Sequence, residues 1–261
     1  MMLIDIGANL THDDFRIDLE EVLDSAYGAG ISNVIITGAS VNGSTQAAEL
    51  ATRNPKLYST AGIHPHHAEE TNAYALVKIR ELAKHPKVRA IGETGLDFFR
   101  DFSSRKAQIA SFEAHIEMAI ATRLPMFLHE RDAHKTFFEI LKSYREKLSN
   151  IVVHCFTGQR DALHKYIELD CHIGFTGWIC DERRGAHLLS MIKDVPLNRI
   201  MIETDAPYLL PRNISPKPKS RRNEPKYLTI ICQTAADAAG LSFQSLAQHT
   251  SKNAQLFFNL F

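Results

Sequence analysis

The sequence predicts a (β/α)8 barrel, also called a TIM barrel, that forms one domain over residues 1–261. Eight short apolar runs typical of buried strands occur along the chain, and amphipathic stretches with helical spacing alternate with them. The length of 261 residues is close to the roughly 250 residues that are typical of this fold. Hydrophobic residues form 44% and charged residues 23% of the chain, which excludes disorder, collagen and coiled coil as the main state.

The strand predictions rest on nearly continuous apolar runs such as NVIIT, MFLH and IVVH. Such runs are expected where a strand is buried on both faces, as parallel strands in α/β proteins are. The predicted strands are Leu3–Ile6, Asn33–Thr37, Tyr58–Ile63, Val88–Gly92, Met126–His129, Ile151–His154, Cys171–Phe175 and Arg199–Glu203.

The stretches between the strands place apolar residues at helical spacing. In the first of them, Leu19, Val22 and Ala26 recur at intervals that put them on one helix face. The predicted helices are Leu19–Tyr27, Ser104–Thr122, Ala133–Leu148, Asp161–Leu169, Pro225–Ala239 and Ser242–Leu260. An open, doubly wound α/β sheet is the alternative architecture, but no GxGxxG motif follows the first strand, which disfavours its dinucleotide-binding form.

The sequence has no feature of a membrane or secreted protein. No apolar run reaches the about 18 residues that a membrane-spanning helix requires, and the N-terminus lacks the basic and long apolar regions of a signal peptide. The cysteines Cys155, Cys171, Cys180 and Cys232 include no CxxC pair and are interpreted as reduced thiols. We therefore expect a cytoplasmic protein with no membrane partner, and we expect a monomer.

Ionisable side chains at the strand ends predict the functional site, because the active sites of (β/α)8 enzymes lie at the carboxyl ends of the strands. The residues are His64 and His66 after the third strand, Glu93 after the fourth, His129 at the fifth, His154 at the sixth, and Glu203 and Asp205 at the eighth. Imidazole and carboxylate groups bind divalent metals, and a carboxylate such as Glu93 can bridge two ions. A metal centre of this kind lowers the pKa of water and is common in phosphoester cleavage.

A basic segment directly follows the eighth predicted strand. From Arg212 to Lys226 the chain carries six basic residues and one acidic residue, a local charge of +5, although the 30 basic and 30 acidic residues of the whole chain balance. Loops after strands seven and eight of such barrels often bind phosphate, so the segment favours an anionic, extended substrate, and Arg183 and Arg184 could strengthen its field. Trp178, in the preceding loop, is interpreted as a packing residue, with stacking on a nucleobase as the alternative.

Five motifs in order, GIHPH, GETGLD, HERDA, HCFTG and ETDAPYL, resemble those of the TatD family of metal-dependent deoxyribonucleases. The likeness extends from Asp5 to the final helix. It implies a TIM barrel of the metallo-dependent hydrolase type and a 3′–5′ exonuclease that degrades single-stranded DNA and RNA with Mg²⁺. It also implies one or two bound ions, with Mn²⁺ or Zn²⁺ as alternatives, and a role in the repair of oxidative DNA damage.

The resemblance assigns roles to the strand-end residues by their place in the motifs. It implies that the metal ligands are Glu93, His129, His154 and Asp205, that Glu93 and Asp205 are catalytic, and that His64 and His66 hold phosphate. Arg221 and Arg222 of the basic segment are expected to bind substrate phosphate as well.

One position departs from the family pattern. Gly7 and Asn9 stand where most members have an HxH pair at the end of the first strand. Because two imidazoles are lost from one metal position, we expect weaker or more exchangeable metal binding there.

Three other functions stay open at this point. A D-aminoacyl-tRNA deacylase would use the same metal site on an acyl ester. A nucleic-acid-binding module with a decayed metal site is suggested by Gly7 and Asn9. A cyclic-amide hydrolase is disfavoured, because it usually needs an HxH pair and often a bridging lysine where this chain has Glu93.

Overall fold

The computed structural model describes residues 2–261, which contain eight strands that alternate with helices along the chain. The strands are β1 (Leu3–Ala8), β2 (Ile31–Ile36), β3 (Leu57–Ala61), β4 (Val88–Asp97), β5 (Met126–Arg131), β6 (Ile151–Val153), β7 (His172–Phe175) and β8 (Ile200–Ile202). Their order in the sheet is the same as their order in the sequence, which confirms the predicted (β/α)8 fold.

Nine α-helices lie among residues 2–261, and three of them were not located from the sequence. The helices are α1 (Leu19–Gly28), α2 (Val41–Arg53), α3 (Ala73–Leu82), α4 (Arg105–Thr122), α5 (His134–Tyr144), α6 (Arg160–Glu168), α7 (Ala186–Met191), α8 (Leu228–Ala239) and α9 (Phe243–Phe258). The helices α2, α3 and α7 complete the alternation with the strands. No helix in the described part of the chain is long and apolar enough to cross a membrane.

The chain divides into two compact units. The first unit holds the residues up to Ile36, Cys155–Gln159 and Ile173–Phe261, and the second holds Thr37–His154 and Arg160–His172. The prediction of one domain over residues 1–261 stays a prediction.

In the first unit, β1 pairs in parallel with β2, and β7 pairs in parallel with β8. The chain after β8 also reaches β1, because the Asp205 amide donates to the Gly7 carbonyl at 2.8 Å and the Asn9 amide donates to the Ala206 carbonyl at 2.7 Å. These two hydrogen bonds fix the backbone on which Asp205 and Asn9 stand.

In the second unit, β3, β4, β5 and β6 pair in parallel in that order. The helix α4 packs on β4, and its residues Phe112 and Ile116 are fully buried. His115, between them on the same helix, is also fully buried, and its Nε2 accepts a hydrogen bond from the Ile63 amide at 3.2 Å. His115 is therefore a packing residue that anchors the chain just before His64.

The strand β4 is five residues longer than predicted, since it continues past Gly92 to Asp97. The extension pairs with β5, where Gly95 lies opposite His129. A Cβ atom at Gly95 would lie 2.0 Å from the His129 carbonyl oxygen, so only glycine allows this close pairing. The added strand carries Glu93 and Asp97 towards the same face, because alternate residues of a strand point the same way.

Candidate active site

Glu93 is the centre of a histidine cluster in the second unit. Its Oε1 atom lies 3.2 Å from His64 Nε2, 3.2 Å from His129 Nδ1 and 2.8 Å from His154 Nε2. Glu93, His64 and His154 are buried, and His129 is partly buried. The structure thus brings together four of the residues that the sequence singled out.

Local backbone structure aims these side chains. His64 caps the short 3-10 helix Pro65–Glu70, and its Nδ1 accepts a hydrogen bond from the His66 amide at 3.1 Å. The cap leaves His64 Nε2 directed at Glu93. The Glu93 amide donates to the Gly38 carbonyl at 2.8 Å, which holds the central carboxylate from the other side of the strand.

Asp97 is a site residue that the sequence analysis missed. Its Oδ2 atom lies 2.8 Å from His66 Nε2 and 3.3 Å from His129 Nε2, and the side chain is buried. His129 therefore stands between two carboxylates, with one ring nitrogen facing each. The signal was present in GETGLD, because Glu93 and Asp97 are four residues apart and share a strand face.

Burial and neighbouring groups together set the protonation of the cluster. Burial opposes ionisation of Glu93, but the facing imidazoles of His64 and His154 and the hydrogen bonds with His129 and His154 hold the pKa of Glu93 well below its usual range. The same balance of burial against hydrogen bonds from His129 and His66 lowers the pKa of Asp97. Burial lowers the pKa of His64 to about 4, in spite of Glu93. At neutral pH the carboxylates are therefore anionic and His64 is neutral, as metal binding requires. Burial opposes protonation of His129, but hydrogen bonds to Asp97 and Glu93 raise its pKa, so a metal bound there would displace a proton.

His64, Glu93 and His129 form a group whose ligand atoms all lie within 4.8 Å of one another. Two imidazole nitrogens and one carboxylate oxygen are a donor set that fits a divalent cation. The donor set supports the prediction that the site binds a divalent metal. Neutral imidazoles suit Zn²⁺, whereas Mg²⁺ and Mn²⁺ prefer oxygen donors, so the mixed donor set alone does not single out Mg²⁺.

Asp205 and Asn9 stand together in the first unit. The Asn9 side-chain amide donates to Asp205 Oδ1 at 3.0 Å, so Asn9 orients this carboxylate. Glu203, two residues earlier, is fully buried and accepts a hydrogen bond from the Cys155 amide at 2.6 Å. Of the two acids at the end of β8, Glu203 is thus engaged in holding the backbone. The roles predicted for Asp205 stay predictions.

The basic segment contains an arginine that is already engaged. Arg222 lies 2.6 Å from the Asp18 carboxylate and 3.0 Å from the Glu224 carboxylate, and hydrogen bonds to Asp18 raise its pKa. The guanidinium also stands 5.1 Å above the Phe15 ring. Arg222 ties the segment to α1, and its predicted phosphate-binding role stays a prediction.

A cationic cleft of about 680 Å³ lies in the first unit. It is lined by the loop that carries Arg183 and Arg184 and by the segment that follows β8. We use this name for the space whose charged lining residues are Arg183, Arg184, Arg212, Lys217, Lys219 and Arg221. The buried carboxylate of Asp181 lies 3.3 Å from Arg183, 3.0 Å from Arg184 and 3.6 Å from Arg212. Within residues 2–261, Lys217, Lys219 and Arg221 have no carboxylate partner.

Trp178 packs beside this cleft. The Arg184 guanidinium lies 4.3 Å above the Trp178 ring, and the indole nitrogen donates to the Arg184 carbonyl at 3.3 Å. The contact agrees with the packing role that the sequence suggests.

The (β/α)8 fold and the cluster of imidazole and carboxylate groups fit a metal-dependent hydrolase. Residues 4–259 match the model of the family described as TatD related DNase, and the chain belongs to this family. The prediction of a TatD-family nuclease is therefore confirmed.

Individual relatives agree with this membership over nearly their full length. The protein named 3′-5′ ssDNA/RNA exonuclease TatD from Enterobacter lignolyticus is 46% identical over 258 residues, which are 99% of this chain and 99% of the relative. The crystal structure of YJJV, a TatD homologue from Escherichia coli, matches with a TM-score of 0.90 at 25% identity and covers 98% of both chains. A TatD family hydrolase from Entamoeba histolytica matches with a TM-score of 0.89 at 27% identity, over 99% of this chain and 98% of that chain.

Proposed function

We propose that this chain is a metal-dependent 3′–5′ exonuclease that hydrolyses phosphodiester bonds of single-stranded DNA and RNA. One observation carries the proposal: a single buried carboxylate, Glu93, faces three imidazoles at 2.8 to 3.2 Å in a TatD-family chain. The name of the relative from Enterobacter lignolyticus supports the polarity and the substrates.

The proposed metal ligands are Glu93, His129, His154 and Asp205, and the geometry adds His64 as a further candidate. When bound, a divalent cation would polarise the phosphate and lower the pKa of water, which is how such ions assist hydrolysis. Mg²⁺ is our first choice because of the family resemblance, with Mn²⁺ and Zn²⁺ as the alternatives that the mixed donor set would also accept.

The chain's own residues would perform the other steps. Asp205, oriented by Asn9, would take the proton of the attacking water. His66 is half-exposed beside Asp97 and would donate a hydrogen bond to a phosphate oxygen of the strand. The same role for His64 is the alternative to its role as a metal ligand, because a single ring nitrogen, Nε2, faces the site. The leaving group would be a 5′-nucleotide.

The cationic cleft would hold the strand by its phosphates. Lys217, Lys219 and Arg221 are suited to this role because their charges have no carboxylate partner within residues 2–261. The part of the lining that follows β8 begins at Leu209, four residues after Asp205, so the same loop carries the proposed base and the proposed phosphate contacts. Binding through these side chains would weaken with added salt.

We further propose a cytoplasmic monomer that acts in DNA repair. The free thiols of Cys155, Cys171, Cys180 and Cys232 support a reducing compartment. The repair role rests on the family resemblance.

Digestion of end-labelled single strands tests the activity and its polarity together. With a divalent cation, a strand blocked at its 5′ end should be degraded, a strand blocked at its 3′ end should persist, and EDTA should abolish degradation. The Glu93→Gln variant keeps the side-chain size but loses the charge, so its activity should fall by more than the roughly 10–100-fold cost of losing an outer partner of a metal ligand. Glu117→Gln, an exposed change on α4 in the same unit, is the control and should be fully active. Full activity of Glu93→Gln would overturn the assignment of the site, and the opposite digestion pattern would overturn the polarity.

A further inference from the structure

Two phenylalanines beside the histidine cluster have strongly exposed rings. Phe99 is 55% exposed and Phe102 is 67% exposed, and both lie in the loop that follows Asp97. Large aromatic side chains are normally buried because each removes 150–250 Å² or so of surface from water. Two such rings held in solvent next to a polar site indicate a binding surface.

Both rings contact groups that would face a nucleic acid. The Phe102 ring stands edge-on to the His66 ring with centroids 4.8 Å apart, and His66 is 2.8 Å from Asp97. The guanidinium of Arg131 lies 4.7 Å from the Phe99 ring centroid, and that of Arg100 lies 5.6 Å from it. The pair of rings is thus flanked by an imidazole on one side and by two positive charges on the other.

The loop is fixed before any ligand arrives. The fully buried side chain of Gln108 accepts from the Asp97 amide at 2.8 Å and donates to the carbonyls of Asp97 and Ser103 at 3.1 and 2.9 Å. Asp97 Oδ1 accepts hydrogen bonds from the Phe99 and Arg100 amides at 3.0 and 2.8 Å. Because both ends and the first turn are held, the rings can receive a ligand at little cost in conformational entropy.

We infer that Phe99 and Phe102 form a stacking platform for unpaired bases of the substrate strand next to the bond that is cleaved. The inference rests on the proposed exonuclease function and adds the group that the site recognises. Every nucleobase has a π-face, and stacking on aromatic side chains is the usual way in which proteins bind single strands without sequence preference. The guanidiniums of Arg100 and Arg131 would balance the charge of the adjoining phosphates.

The platform also explains why the site would select single strands. A base in a duplex is already stacked between its neighbours and paired across the helix. It must leave that stack and lose its pairing before it can lie on the Phe102 ring, whereas an unpaired terminal base has less to lose. Phe99 and Phe102 would therefore be positioning residues that lower KM for single-stranded ends and leave the chemical step to the histidine cluster.

Kinetics on short single-stranded oligonucleotides test the platform. Phe99→Ala and Phe102→Ala should each raise KM at least about fivefold, the lower end of the effect of losing one base–aromatic stack, with kcat little changed. Phe102→Leu keeps an apolar side chain against His66 but removes the π-face, so it should resemble Phe102→Ala, while Phe102→Tyr should resemble the wild type. Tyr74→Ala, which removes a 68% exposed ring on α3, is the matched control and should leave KM unchanged.

An oligonucleotide with abasic sites at its 3′ end identifies what the rings contact. The wild type should bind this oligonucleotide as weakly as Phe102→Ala does, so the two proteins should have the same KM for it. The variants should also lose part of the preference for single-stranded over duplex ends. The inference is refuted if the wild type degrades single strands and the phenylalanine variants keep its KM, or if the effect of Phe102→Ala persists on the abasic strand. A wild type that degrades no single strand with any divalent cation would instead refute the proposed function.

Discussion

Replacing Asp97 by asparagine tests whether this buried carboxylate supports the metal site. The substitution keeps the shape of the side chain but removes its charge. Asp97 faces His66 at 2.8 Å and His129 at 3.3 Å, and His129 in turn faces Glu93 at 3.2 Å. The orientation of the His129 ring and the electron density on its nitrogens therefore depend on Asp97 directly.

The structure sets the size of the expected effect. Hydrogen bonds to a charged group contribute about 1.5–3 kcal/mol each, compared with about 1 kcal/mol for neutral pairs. Each of the two contacts would fall from about 1.5–3 to about 1 kcal/mol if the amide keeps a neutral hydrogen bond, so the deficit is about 1–4 kcal/mol. The roughly 10–100-fold loss of metal affinity or activity that is usual for an outer partner of a metal-binding histidine lies within this range.

The assay is a titration of nuclease activity with Mn²⁺ and with Mg²⁺. Asp97→Asn should shift the metal concentration for half-maximal activity upward by roughly 10–100-fold, and saturating metal should restore part of the rate. Asp101→Asn, in the same loop, removes a carboxylate whose only ion pair among residues 2–261 is exposed and joins it to Arg105, so it is the matched control and should behave as the wild type. An unshifted titration for Asp97→Asn would refute the idea that Asp97 acts through His129.

Two further predictions concern the cationic cleft and the pH dependence of stability. Replacing Lys217, Lys219 and Arg221 together by alanine should reduce the slope of log KM against log salt concentration by about 2, since each lost contact with a single-stranded phosphate removes about 0.7. Lys193 is exposed elsewhere in the first unit, so Lys193→Ala is the control and should leave the slope unchanged. A triple variant with the same slope as the wild type would show that the cleft does not hold the strand. Burial lowers the pKa of His115 to about 4, below the roughly 6.5 of an exposed histidine, so the unfolded chain takes up a proton at a higher pH than the folded chain. The His115 contribution is therefore complete above pH 6.5 or so and is lost progressively towards pH 4, by about 3 kcal/mol of unfolding free energy at most. His115→Gln should be less stable than the wild type at neutral pH in urea unfolding, and it should lose less stability across this window. A parallel fall in both proteins would contradict the buried neutral imidazole.

The sequence predicts the alternating fold and the histidine cluster well because both depend on local patterns. Apolar runs identify the eight strands, and the strand ends then identify His64, Glu93, His129 and His154. The end of β4 is wrong in the prediction, because the strand passes Gly92 and continues to Asp97. Since Asp97 was assigned to no strand, its shared face with Glu93 could not be used.

Other features depend on contacts between residues that are distant in the sequence. Arg222 binds Asp18, 204 positions earlier in the chain, and no local pattern indicates that pair. The loop that carries Phe99 and Phe102 is held at both ends by Gln108, whose side chain is fully buried although glutamine is usually a surface residue. Sequence patterns therefore locate the chemistry of this site, whereas the groups that orient it become visible only in three dimensions.

The buried side-chain amide of Gln108 holds the two ends of the loop after β4 and does not contact the side chains between them through these hydrogen bonds. Gln108 bonds to main-chain groups of Asp97 and Ser103, so these hydrogen bonds do not depend on which side chains lie between the two residues. Substitutions at Phe99, Arg100 and Phe102 can therefore accumulate without moving the carboxylate that supports the histidines. Substitutions in this loop can therefore change which substrate the site prefers, in evolution or by engineering, while the reaction stays the same.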